Sequence, residues 1–492
     1  MSKEKEEKEP SKKEGQITQV PKDKIARTSH RVVVNGQEIQ YTARAGTIVL
    51  KEESGKPKAT LFFVAYTRDQ VKDVRQRPIT FSFNGGPGSS SVWLHMGLLG
   101  PRRVVLEEDG KLLPPPCRLV DNVYSLLDET DLVFIDPVST GYSRATEEEK
   151  AKEFHTFDQD IQSVGEFIRL YTTRRKRWAS PKFLIGESYG TTRAAGLSGF
   201  LQERHGMYLN GIMLISSILN FQSARFDPGN DLPYVLFLPT YAATAWYHKK
   251  LDEALQADLH QTLGQVEAFA QDEYAAALFK GASLPGEERA QIVRKLARYT
   301  GLSPDYVERT DLRIQIYRFV KELLRGERRT VGRLDSRFKG IDQDAAGEKF
   351  EYDPSYAAIQ GAYTAALNDH VRTRLQFKSD LPYEILTDRV QPWSYEQHQN
   401  QYVDVANTLR KSMAQNPFLQ VFVANGYFDL ATPYFATRYT FDHLGLDPSL
   451  QKNVAMGYYE AGHMMYIHEP SLARLKEDLA RFIRDAVTGP GA

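Results

Sequence analysis

The chain has 492 residues, enough for a large core and for more than one structural unit. Lys plus Arg and Asp plus Glu both number 63, so the overall charge gives no reason to expect a nucleic acid or an anionic membrane as partner. A single cysteine, Cys117, excludes an intramolecular disulfide and a thiolate zinc site. No run of about 18 apolar residues occurs, so no membrane span is expected.

Residues 1–28, a stretch rich in Lys and Glu, are predicted to form a disordered charged tail. This stretch lacks the apolar segment of a secretory signal. The sequence is therefore compatible with a cytoplasmic protein, or with a periplasmic or secreted one if the chain is a mature form. It leaves the oligomeric state open.

Strand patterns come next in the chain. RVVVNGQEIQYTA carries Asn35-Gly36 between two alternating runs, which indicates a tight hairpin, and the following stretch repeats this pattern through residues 53–56. Buried-type strand runs then alternate with helical patterns, including a helix over residues 158–178. The strand runs are ITFSFNGG, DLVFID, KFLIGES and IMLISS. This alternation predicts a mostly parallel sheet with antiparallel N-terminal strands.

Strand signals stop after IMLISS and resume in LQVFVANG. Long helical patterns fill the interval, one of them with Ser303 as N-cap and a proline in the first turn. We therefore predict one α/β domain in two parts, residues 29–221 and 416–492, interrupted by a helical lid over residues 222–415.

The sequence GESYG at residues 186–190 follows the pattern G-x-S-x-G, and its surroundings favour Ser188 as a nucleophile. A strand-type run ends at Ile185, and a helix-compatible stretch begins at the serine. This order is typical of a nucleophile elbow, whose flanking glycines allow a strained turn that exposes the hydroxyl. A helix-capping serine is the alternative, but it would not explain both Gly186 and Gly190.

A serine nucleophile needs a histidine that accepts its proton and a carboxylate that orients the histidine. In this architecture both are expected later in the chain, each just after a strand. Asp429 follows the run LQVFVANG, and His463 follows VAMGYYEAG. The competitors Asp442, His443 and His468 lie on or beside predicted helices. We therefore predict Asp429 and His463 as the partners of the serine.

Acyl chemistry also needs N–H donors for the developing oxyanion, each commonly worth about 10²-fold or more in rate. One donor is expected from the residue after the nucleophile, Tyr189. The second is expected from a glycine-rich turn after an earlier strand. The sequence NGGPG at residues 84–88 stands in that place.

Together these separated motifs resemble the serine carboxypeptidase family, peptidase family S10, which has the α/β-hydrolase fold. NGGPGSSS, LLGPRRV, GESYG, NGYFD and AGHMM occur in the order of the family. The predicted insertion also stands where the family has its helical lid. The resemblance covers most of residues 30–488.

The resemblance implies a two-step hydrolysis of peptides from a free C-terminus, through an acyl-enzyme on Ser188. It implies that the N–H groups of Gly86 and Tyr189 bind the oxyanion. It also implies that Asn84 and Glu187 bind the terminal carboxylate of the substrate, which is what makes these enzymes exopeptidases.

The sequence departs from the family pattern at several positions. Leu98 stands where members commonly carry a second glutamate, whose carboxyl would share a proton with that of Glu187 and raise one pKa. Burial alone is left to raise the pKa of Glu187, so the acid preference typical of the family is not a firm expectation. Ser89 replaces a usual cysteine, and Thr191 replaces a usual glycine or alanine. With the lack of disulfides, these changes make the chain similar to a bacterial branch.

Two further functions stay open at the level of sequence. An esterase or acyltransferase would use the same triad, and a catalytically silent binding protein would use the same scaffold. No cofactor or metal is expected, because the histidines lack metal-ligand spacing. The basic run at residues 325–340 is predicted to be a solvated loop, since it lacks the interleaved aromatic residues of a nucleic-acid site.

Overall fold

The computed structural model describes residues 21–488 except residues 109 and 112, so residues 1–20 of the predicted tail lie outside the described part. Strand β1 begins at Lys24, before the predicted end of the tail at residue 28. The paired chain starts earlier than predicted because the backbone of Lys24 already pairs with that of Thr47.

The strands alternate with helices as the sequence predicts. Within the described residues the strands are β1 (Lys24–Val34), β2 (Gln37–Lys51), β3 (Pro57–Arg68), β4 (Ile79–Phe83), β5 (Arg102–Val104), β6 (Leu119–Asp121), β7 (Asp131–Ile135), β8 (Arg144–Ala145), β9 (Lys182–Ser188), β10 (Gly211–Ser217), β11 (Thr330–Val331), β12 (Lys339–Gly340), β13 (Gln420–Gly426) and β14 (Val454–Tyr459). Asn35 and Gly36 form the predicted turn between β1 and β2.

The helices cluster between β7 and β10 and after β10. In the described part of the chain they are α1 (Val92–Leu94), α2 (Phe157–Arg174), α3 (Tyr189–His205), α4 (Leu232–Tyr247), α5 (Glu253–Gln256), α6 (Leu259–Phe269), α7 (Ala275–Lys280), α8 (Gly286–Thr300), α9 (Pro304–Arg309), α10 (Ile316–Glu322), α11 (Pro354–Asp369), α12 (Ala406–Gln415), α13 (Tyr434–Asp442), α14 (Pro448–Gln451) and α15 (Glu469–Thr488). Among these described helices, none combines the length and apolar character that crossing a membrane requires.

Ten of the described strands form one sheet in the order β1-β2-β3-β7-β4-β9-β10-β13-β14, with β8 paired to β3. The pairs β1–β2, β2–β3 and β3–β7 are antiparallel. From β7 onward every neighbouring pair is parallel. The predicted parallel sheet with antiparallel N-terminal strands is confirmed.

Helices cover both faces of this sheet. Strands β4, β7 and β10 are buried at every residue, as expected for parallel strands between two helical layers. One face packs against α11 and α15, and the other against α2, α3 and α12. The predicted apolar face of α2 is buried, and it consists of Ile161, Val164, Phe167 and Ile168. This arrangement leaves the carboxyl ends of the parallel strands open for a site.

The insertion between β10 and β13 contributes to three apolar clusters, one of them through α12. Helices α4 to α10 form a cluster with α13 and the residues around Asp429. Ser303 caps α9 as predicted, accepting from the Tyr306 N–H. Helix α11 instead packs on the main sheet, where the ring centroids of Tyr363 and Trp93 lie 5.0 Å apart. The domain boundaries at residues 221 and 415 stay a prediction.

Candidate active site

The predicted site residues meet at the carboxyl ends of four parallel strands. Asn84 follows β4, Ser188 ends β9, Asp429 follows β13 and His463 follows β14. All except Asp429 line one cavity of about 420 Å³. The cavity is lined by Asn84, Gly85, Gly86, Pro87, Ser89, Trp93, Glu187, Ser188, Arg333, Leu334, Phe350, Asp353, Tyr356, Leu386, Thr387, Asp388, Gln391, His463 and Met464.

Ser188 occupies the strained turn that the sequence predicts. Its backbone angles are φ 59° and ψ −130°, a conformation that non-glycine residues rarely adopt. A side chain at Gly186 would collide with the Gly190 carbonyl, and one at Gly190 would come within 2.8 Å of the Phe83 carbonyl oxygen. Both glycines are therefore required for the strand to turn sharply into α3.

The Asp429 carboxylate holds the ring of His463. Asp429 Oδ2 lies 2.8 Å from His463 Nδ1 and also accepts the Thr432 hydroxyl at 2.7 Å. Its Oδ1 accepts the N–H groups of Ala431 at 2.8 Å and Thr432 at 3.0 Å. The Nδ1–H···Oδ2 bond assigns the ring proton to Nδ1 and leaves Nε2 as the proton acceptor.

The described residues include no hydrogen bond between the hydroxyl of Ser188 and the ring of His463. Hydrogen bonds of this kind are often loose until a substrate is bound. Burial lowers the pKa of His463, but the Asp429 and Glu187 carboxylates outweigh this effect, so the net pKa is raised above 6.5. The ring is therefore a stronger base than an isolated histidine.

The loop that carries His463 is fixed by a segment from the insertion. The His463 N–H donates to the Leu334 carbonyl at 2.6 Å, and the Gly462 N–H donates to the Asp335 carboxylate at 3.1 Å. Asp335 is 1% exposed and forms an ion pair of 2.6 Å with Arg337. The prediction of a solvated loop at residues 325–340 is wrong for residues 330–336, which are buried or partly buried and include β11, whereas residues 326–328 are exposed.

The glycine-rich turn lies against the start of α3. A side chain at Gly85 would collide with the backbone nitrogen of Tyr189, so only glycine allows this approach. Gly86 lines the cavity, and the N–H of Tyr189 is a first-turn donor without an acceptor inside its own helix. Arg193, which is fully buried, holds the turn by donating to the Asn84 carbonyl at 2.6 Å.

Asn84 and Glu187 form a buried pair beside the nucleophile. The amide of Asn84 donates to Glu187 Oε1 at 2.9 Å, and its own oxygen accepts the Leu94 N–H at 3.1 Å. The second oxygen, Oε2, has no hydrogen-bonding partner among the described residues. Burial raises the pKa of Glu187 to about 7, against the lowering effects of His463, Tyr466 and Asn84.

The surroundings of Glu187 show how burial acts without a second glutamate. Leu98 is fully buried in the apolar cluster that includes Tyr363 and Tyr466. The hydroxyl of Tyr466 faces the carboxyl of Glu187, but has no partner at hydrogen-bonding geometry among the described residues. Desolvation is the main cause of the raised pKa of Glu187, and the Asp429 carboxylate raises it further.

The residues that competed for the triad lie elsewhere. Asp442 and His443 are exposed at the end of α13. His468 Nδ1 lies 2.8 Å from the Ser471 hydroxyl in the first turn of α15. Sequence analysis missed Thr432, although an Asp side chain often accepts the backbone N–H two residues on, as Asp429 does from Ala431. It also missed Arg333, for which the chain carries no local signal.

Comparison with known proteins finds a family model that spans most of the chain. A family model described as "Serine carboxypeptidase" matches residues 36–472. Pheromone-processing carboxypeptidase KEX1 of Saccharomyces cerevisiae is 32% identical over 156 residues, which cover 30% of this chain and 20% of that protein. Serine carboxypeptidase-like 29 of Arabidopsis thaliana is 25% identical over 209 residues, covering 41% of this chain and 39% of that protein.

The fold has a counterpart among solved structures. The crystal structure of KEX1(delta)p, a prohormone-processing carboxypeptidase from Saccharomyces cerevisiae, matches with a TM-score of 0.55 at 17% identity, over 90% of this chain and 92% of that one. The α/β-hydrolase fold is thereby confirmed. The reported relatives come from yeast and a plant, so similarity to a bacterial branch stays a prediction. Since the family model covers most of the chain, the protein belongs to the serine carboxypeptidase family.

Proposed function

We propose that this protein is a serine-type carboxypeptidase that releases residues from the free C-terminus of peptides. The observation that carries the proposal is the buried pair of Asn84 and Glu187 beside Ser188. A carboxyl group with a pKa of about 7 is half protonated at neutral pH and can share its proton with a peptide carboxylate. Hydrolysis of a simple ester has no need of such a pair.

In the proposed reaction, the Ser188 hydroxyl attacks the carbonyl carbon of the last peptide bond while His463 Nε2 accepts its proton. Asp429 keeps the ring oriented and stabilises the imidazolium. The N–H groups of Gly86 and Tyr189 bind the oxyanion. His463 then protonates the leaving amine, and a water molecule cleaves the acyl-enzyme by the same steps in reverse.

Matched peptides with a free or an amidated C-terminus test this function. We expect a fluorophosphonate to label Ser188, and mass spectrometry to show stepwise trimming of the free-acid peptide alone. The Ser188→Ala variant serves as the control for both assays. Rapid cleavage of esters while the peptides stay intact would favour an esterase or acyltransferase. The absence of both labelling and turnover would favour a binding protein.

Glu187→Gln is expected to separate peptide recognition from acyl chemistry. The glutamine keeps the hydrogen bond to Asn84 but donates a weaker, neutral hydrogen bond to the substrate carboxylate. We expect KM for free-acid peptides at pH 6 to rise about ten-fold, because one charge-assisted hydrogen bond is lost. Ester turnover should be largely kept. Steady-state kinetics on a peptide and an ester provide the measurement.

The pH dependence of KM provides a second readout of the same variant. Protonated Glu187 binds the carboxylate, and its pKa is raised to about 7, so KM of the wild type should rise as pH increases above 7. In Glu187→Gln this rise should disappear, because the amide does not titrate. Equal losses on peptide and ester, or an unchanged rise, would argue against this role.

A further inference from the structure

Arg333 contributes a positive charge to the wall of the cavity that holds Ser188 and His463. Its backbone is held in place from several sides. The Arg333 N–H donates to Asp353 Oδ1 at 3.1 Å, and the Arg333 carbonyl accepts the Leu430 N–H at 3.1 Å. The partly buried side chain of Arg333 therefore extends from a fixed backbone position next to the loop that carries His463.

The guanidinium of Arg333 has no ion pair and no hydrogen bond within the described residues 21–488. Asp353, the carboxylate bonded to its backbone, is already occupied by the N–H groups of Arg333 and Leu334 and by Ser355. By contrast, Arg337 in the same segment is paired with Asp335. A partly buried cation without a counter-charge is unfavourable, which suits a site completed by a ligand.

The other charges of the cavity do not serve as that counter-charge. Arg333 is the only Arg or Lys among the described lining residues. Glu187 is bonded to Asn84, and Asp388 is exposed at the rim without an ion pair among the described residues. An anionic group on a substrate would therefore meet one strong, permanently charged donor in this cavity.

We propose that Arg333 binds a carboxylate of the peptide and makes the enzyme favour peptides with an acidic side chain next to the scissile bond. The guanidinium fork matches a carboxylate in two parallel hydrogen bonds. The inference rests on the proposed carboxypeptidase function, which supplies the peptide. The terminal carboxylate is the second source of the same chemistry, and the substrates below distinguish it from a side chain.

The test compares kcat/KM for blocked dipeptides that differ only in Glu or Gln, at the penultimate and at the C-terminal position. We expect the wild type to favour Glu at one position by about ten-fold or more, the effect of one charge-assisted pair. Arg333→Gln should bring this ratio close to one, and Arg333→Lys should keep part of it. The ratio is insensitive to the amount of folded enzyme, since both substrates meet the same preparation.

Arg328→Gln is the matched control, because this exposed arginine lies in the same basic run but outside the cavity. It should keep the wild-type ratio. If Arg333→Gln instead weakens all free-acid peptides equally and spares the turnover of a simple ester, the carboxylate bound is the terminal one, and the preference for an acidic side chain is refuted. If the Glu-to-Gln ratio and the peptide-to-ester ratio are both unchanged in Arg333→Gln, the inference is overturned. A wild type that trims no free-acid peptide would instead refute the proposed function itself.

Discussion

Replacement of Asp429 by asparagine is expected to lower kcat for a free-acid peptide about 10⁴-fold, as for the equivalent exchange in other serine triads. The fully buried carboxylate accepts hydrogen bonds from His463, Ala431 and Thr432 on its two oxygens. An amide accepts on one side only. Its N–H would face His463 Nδ1, so the ring would carry its proton on Nε2 and could not accept one from Ser188.

Asp442→Asn is the control for this experiment, because Asp442 is an exposed carboxylate on α13. It should leave kcat and KM within about two-fold of the wild type, as surface substitutions usually do. Thermal unfolding of both variants shows whether the fold is kept. A loss below ten-fold in Asp429→Asn, or an equal loss in Asp442→Asn, would contradict the assignment of the triad acid.

The buried His370 is expected to destabilise the fold by about 2 kcal/mol when the pH falls from 7 to 5, because its pKa is lowered to about 3. His95 Nε2 and His370 Nε2 both contact the Tyr66 hydroxyl, at 2.8 Å and 3.0 Å. Burial lowers the pKa of His95 well below 6.5 and that of His370 to about 3. Arg374 and Arg102 further lower the pKa of His370.

The sign follows from the depressed pKa values. Below pH 6.5 these histidines bind protons in the unfolded chain but stay neutral in the folded chain. Their contribution to stability is therefore lost as pH falls from 6.5 towards 3. Urea unfolding at pH 7 and pH 5 measures this loss. Buried Glu187, whose pKa is raised to about 7, gains stability on the same acidification, so the readout is the difference between variants. The change from pH 7 to pH 5 should be about 2 kcal/mol more favourable in His370→Gln than in the wild type, whereas His443→Gln, at an exposed position, should match the wild type. The same acid loss in His370→Gln and wild type would contradict the prediction.

The parts of the site that could be predicted have signals in adjacent residues. Ser188 is recognisable because the two glycines around it serve the same turn, and both prove necessary for the packing. Asp429 and His463 are recognisable because catalytic groups of this architecture follow buried strands, and short apolar runs reveal those strands. The fold follows from the same runs, since strand type and order need only local patterns.

The parts that could not be predicted depend on segments far apart in the chain. A basic run looks solvated when its counter-charges are unknown, and the sequence does not show that Asp335 binds the loop of His463. For the same reason Arg333 carries no local sign that its guanidinium would lie in the cavity. The sequence could not show how Leu98 affects the pKa of Glu187, because burial sets that pKa and only the packed structure defines the burial.

The support of His463 by residues 333–335 limits how this protein can vary in evolution. Helices α4 to α10 share their apolar cluster with α13 and with Phe428 and Leu430, the residues on either side of Asp429, so they support the carboxylate. Leu334 and Asp335 hold the base through the His463 N–H and the Gly462 N–H. A lineage that shortened the insertion past this point would keep the proposed nucleophile but lose two hydrogen bonds that hold the loop of the proposed base, so the insertion as a whole cannot be discarded.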